Sequence, residues 1–88
     1  MINREKLHKI LTLVLEISER GEGVDGYPCV HVDVSNIGCL IQLHAMKNGF
    51  HPSANWDISM TIDNDSEADQ AIKELEELLK IAVDRIEE

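Results

Sequence analysis

Four histidines and two cysteines are the side chains of this sequence best suited to ligate a metal or to act as nucleophile and base. His31 and His44 lie in runs where polar and apolar residues alternate, so both project from one face of a β-sheet, away from the core. Cys29 shares that parity, and Asp57 is expected close by. Two imidazoles, a thiolate and a carboxylate are a zinc donor set in principle. The spacing matches no short metal signature, and the solvated face of a sheet carries the same kinds of residue. A Cys29–His44 pair across a hairpin would resemble the thiol–imidazole arrangement of cysteine hydrolases. Such a dyad also requires an orienting third group, an oxyanion hole and a concave pocket. His31, His44 and Cys29 are therefore the candidate metal or catalytic residues. No cofactor is implied, and the expectation is a chain that is not an enzyme.

Cys29 and Cys39 are close enough in sequence to suggest a disulfide. The alternation places Cys29 on the outer face and Cys39 on the core face, a geometry that a disulfide cannot bridge without backbone movement. There is no CxxC pair, which argues against thioredoxin-type redox chemistry and a four-cysteine zinc site. The glycine-rich stretch GEGVDGYP at residues 21–28 does not read as a phosphate cradle. No strand precedes it, no lysine follows at P-loop spacing, and two acids lie within it.

The elements that must position these groups follow from periodicity. Leu7, Ile10, Leu11, Val14 and Ile17 recur on one face of a helix, with Asn3 as N-cap and Gly21 as a left-handed stop. Leu13 and Leu15 fall outside that stripe. From Cys29 the period becomes two. Val30, Val32 and Val34 alternate with His31 and Asp33, and after a turn near Ser35–Gly38 the row Cys39, Ile41, Leu43 and Ala45 does the same. These two runs form a hairpin whose valine row shares the core face. After Lys47-Asn48-Gly49 a third strand has Trp56, Ile58, Met60 and Ile62 directed at the core. An acidic helix then runs to the chain end, with Ser66 and Asp69 approximating a capping box. The expected fold class is α+β: a single domain, residues 1–88, built as a two-layer α-β-β-β-α arrangement. Two helices cover one face of a three-stranded antiparallel meander.

Charge narrows the partners. Seventeen acids and eight bases give −9, and ten of the acids with only three bases lie in residues 63–88. Phosphate backbones and anionic bilayers are both disfavoured as direct ligands of so acidic a chain. No apolar run approaches a membrane span, and the charged amino terminus has no secretion-signal core, so the expected address is the cytoplasm. The surplus carboxylates of the last helix are those of an ordinary solvated face, or of a mimic of DNA phosphates that occupies a nucleic-acid-binding protein.

An opening helix, the segment YPCVHVDV…CLIQLHAMKNGF, a tryptophan-bearing third strand and an acidic closing helix together resemble small accessory proteins encoded by bacteriophages and prophages. The resemblance is one of pattern along most of the chain. It implies action on a host or phage protein and assigns no functional residue.

The reading that follows is a non-enzymatic protein–protein interaction module, expected to be a homodimer. Its contact residues would be Leu13 and Leu15 on the first helix and Tyr27 and Leu40 on the outer sheet face, where apolar area exceeds the needs of a solvated surface. The alternatives are the DNA mimic, and a small metal-binding protein or enzyme using His31, His44 and Cys29.

Overall fold

In the computed structural model, residues 2–24, 26–36 and 41–86 are described. Helix α1 spans Arg4–Arg20, strands β1, β2 and β3 span Cys29–Val34, Ile41–Met46 and Ile58–Ile62, and helix α2 spans Asp65–Ile86. The strands form one antiparallel sheet in the order β1-β2-β3. Both helices pack on the same face, α1 under β1 and α2 under β3. The α+β, α-β-β-β-α architecture expected from the periodicity is the one observed.

The hairpin register carries that architecture. Val30, Val32 and Val34 pair with Ala45, Leu43 and Ile41, while Cys29, His31 and Asp33 pair with Met46, His44 and Gln42. Residues directly opposite in an antiparallel pair point to the same face, so the valine row looks toward the helices and the histidines look away. Ile58, Met60 and Ile62 continue the core row opposite Ala45, Leu43 and Ile41. Against these rows pack Ile10 and Ile17 of α1 and Ala68, Ala71, Leu75 and Leu78 of α2, and Leu13 joins the same buried cluster. The buried core is aliphatic, and among the described residues it contains no polar or charged side chain.

The helices run parallel because their starts are tied together. The Asn3 side chain caps α1 by accepting from the Glu5 amide at 2.8 Å, while the Asn3 amide donates to Asp65 Oδ1 at 2.8 Å. Lys6 Nζ then pairs with Asp69 at 2.9 Å. At α2 the capping box is Asn64 with Glu67, two residues earlier than the expected Ser66 with Asp69. The Glu67 amide donates to Asn64 Oδ1 at 2.9 Å, and Glu67 Oε1 accepts from the Asn64 side chain and the Asp63 amide. Asn64 takes the cap because it immediately precedes Asp65, the first helical residue, and its carbonyl accepts the first helical bond, from the Ala68 amide.

Three expectations are corrected. Gly21 is extended, at φ −176°, and is not a left-handed stop. A Cβ there would meet the Tyr27 ring at 2.7 Å, so the glycine is required by close approach of that ring. Leu13 is buried, with 3 % of its surface exposed, because α2 packs on that flank of α1 as well as on the sheet. Leu15 is 60 % exposed. Trp56 lies before β3 and outside the core. The Asp57 carboxylate accepts from the Lys47 amide at 2.8 Å, and this bend ends the alternation one residue before Ile58.

Candidate functional site: the outer sheet face

The face of the sheet opposite the helices is where register gathers the chemistry-bearing residues. His31 and His44 are Cα partners across β1 and β2, and Ser59 stands next to His44 on β3. The imidazole centroids are 6.3 Å apart. Each ring has its own neighbour: His31 Nε2 lies 3.3 Å from Asp33 Oδ2, and His44 Nδ1 lies 3.1 Å from Ser59 Oγ. The third centroid in the row belongs to Trp56, 5.4 Å from His44, and the fourth to Phe50, 6.2 Å from Trp56. A tilted aromatic row therefore runs from mid-sheet to the loop that precedes β3.

Two loops hold the far end of the row in place. The Phe50 amide donates to the Gly23 carbonyl at 2.6 Å, and the Gly26 amide donates to the Asn48 carbonyl at 3.1 Å. Gly49 supports this clasp at φ +99°, with Val24 backbone only 3.0 Å from where a Cβ would sit, so any side chain there would be both strained and crowded. Beneath the clasp Met46 is buried and receives the His51 amide on its sulfur at 3.3 Å. Its strand partner Cys29 is half-buried, a free thiol whose pKa is pushed up by burial.

The expected zinc donors do not converge. The Asp57 carboxylate is occupied by the Lys47 amide, His51 Nδ1 faces Ser53, and His8 is exposed on α1. Among the described residues no group of three or more histidines, cysteines and carboxylates is placed to hold a metal ion. Cys29 and His44 are not Cα partners: Cys29 stands opposite Met46 and His44 opposite His31. Tyr27, expected on this face, instead lays its ring against Gly21 at the end of α1. Leu40 and Cys39 lie outside the described residues.

Two residues central to the face escaped sequence reasoning. Phe50 sits in a turn-rich loop with no periodicity, and Trp56 fits the parity of β3 so well that it reads as core. The available signal was the polar run His51–Asn55 before Trp56 and the carboxylate immediately after it. Together they break the strand pattern on both sides of the indole.

The face is lightly charged. Along the strands it presents Cys29, His31 and Asp33, then Gln42, His44 and Met46, then Ser59 and Thr61. The carboxylates of α2 lie on the other side of the molecule. Among the described residues no helix is long and apolar enough to cross a membrane. No family model, no curated protein and no solved structure matches the chain.

Proposed function

We propose that this chain is a non-catalytic protein-interaction module whose contact surface is the outer sheet face centred on Trp56 and His44. One observation carries the reading: the only tryptophan and the only phenylalanine of the chain are 36 % and 49 % exposed on that face, while the core is aliphatic. Exposed indole and phenyl groups beside imidazoles, with few charges among them, match the composition of interface centres, where aromatics dominate and charges are depleted. The partner is a protein, of host or phage in keeping with the accessory-protein resemblance, and the contact is made in the cytoplasm.

Chemical cross-linking and affinity capture from host extract, with wild type beside Trp56→Ala and Glu76→Gln/Glu77→Gln, tests the reading. A specific partner lost with Trp56→Ala and kept with the double glutamine variant supports it. A partner lost only with the glutamine variant overturns it in favour of a DNA mimic acting through α2.

A further inference from the structure

The two edges of the sheet are unequal. β3 has two of its three core-side residues, Ile58 and Ile62, buried at 7 % and 0 % exposure, with Met60 between them partly covered. β1 does not: Val30 and Val32 are only partly covered, and Val34 is 67 % exposed although it faces the helix side. Beside Val34, Ile2, Leu7 and Ile41 line an open groove of about 820 Å³. The flank of α1 that borders this edge is apolar too. Lys6, Leu13 and Glu16 face α2, so Leu11 and Leu15 fall on the opposite flank, between Leu7 near Val34 and Ser18 near Val30. Among the described residues no backbone hydrogen bond reaches β1 from its outer side. A strand with one edge open beside uncovered apolar surface is a template for another strand.

The sequence of β1 says which strand. Its last five residues read Val-His-Val-Asp-Val. We infer that β1 pairs antiparallel with β1 of a second copy about a two-fold axis through Val32, joining two three-stranded sheets into one of six strands. In that register Val30 meets the partner's Val34, Val32 meets the partner's Val32, and His31 meets the partner's Asp33. The apolar row stays on the helix side, and the outer face gains two imidazole–carboxylate contacts.

Neighbouring registers fail. A shift by one residue places the valine row opposite the outer row, which the pleat forbids. A centre on Asp33 sets two carboxylates opposite each other, and a centre on His31 sets two imidazoles opposite each other. The same operation on β3, centred on Met60, would place Asp57 opposite the partner's Asp63 at both ends, a like-charge contact that protects that edge. Since α1 runs antiparallel to β1 beneath it, the two-fold axis also brings Leu11 and Leu15 of the two copies toward each other. The Arg4 end of one helix then approaches the Glu19 end of the other. An isologous contact of this kind is the commonest form of assembly.

The inference is independent of the outer-face reading, because β1 pairing leaves Trp56 and Phe50 free. Sedimentation equilibrium of the full chain at micromolar concentration reads it. The expected species has twice the 9.9 kDa monomer mass. Val34→Lys is expected to weaken dimerisation on the order of a hundred-fold while leaving the circular dichroism spectrum and melting intact, since that side chain is exposed in the monomer. His31→Asp weakens the dimer by placing carboxylate against carboxylate, and adding Asp33→His restores it by reversing the pair. A 9.9 kDa species at all concentrations overturns the inference. So does a dimer indifferent to Val34→Lys, whether it is instead broken by Trp56→Ala or by a β3 variant such as Met60→Lys.

Discussion

Trp56 stacks against His44, ring centroids 5.4 Å apart and planes tilted by 41°, on the side of the sheet that the helices leave uncovered. The largest apolar side chain of the chain thus contributes its area to a surface and not to the core.

Its removal should therefore be mild. Trp56→Ala is expected to lower stability by less than about 1.5 kcal/mol in urea unfolding, as for a half-exposed site. Leu43→Ala, at a fully buried position in β2, should lose about 2–5 kcal/mol. The indole emission should be red-shifted and readily quenched by acrylamide. A blue-shifted, protected emission would place the indole in the core and sink the assignment.

Leu13 and Leu15 should behave oppositely despite their proximity in sequence. Leu13→Ala opens a cavity between the helices and should cost about 2–4 kcal/mol of monomer stability. Leu15→Ala, at 60 % exposure, should stay within about 0.5 kcal/mol at concentrations where the chain is monomeric. Equal effects would mean that α2 does not cover the Leu13 flank.

The cap of α2 offers a sharper local test. Asn64→Ala removes the acceptor of the Glu67 amide and should cost about 1 kcal/mol. Ser66→Ala, which lies inside the helix, should change little. Thermal melts of the two variants side by side distinguish the two capping registers.

Cys29 carries a pH dependence. Burial raises its thiol pKa from 9.0, so the folded chain holds the proton at pH values where the unfolded chain has begun to lose it. Stability from this group is intact below the unfolded-state value and declines as pH rises through and above it. Site-resolved alkylation by iodoacetamide at pH 8 should be slower at Cys29 in the folded protein than in urea, since the thiolate is the reactive form. Equal rates would show the thiol to be fully solvated.

Wherever a residue's direction depends only on alternation or helical spacing, the chain alone was sufficient. Val30, Val32, Ile41 and Leu43 had to share a face, because the pleat has period two and one face must be buried. His31 and His44 followed by the same logic onto the opposite face. The Asn3 cap and the order of the five elements were equally legible, because capping and turn chemistry act over a few residues. Tertiary structure decided what depended on contacts between distant segments. Leu13 is core because a parallel α2, tethered by Asp65 and Asp69 to Asn3 and Lys6, packs along a flank that the sheet does not reach. Gly21 is indispensable through the Tyr27 ring and not through its dihedral angles. Trp56 left the core row because one hydrogen bond, from the Lys47 amide to Asp57, interrupts the strand one residue before Ile58. The symmetry of Val-His-Val-Asp-Val was written in the chain throughout, but it acquired meaning only once β1 proved to be an edge with its apolar side uncovered.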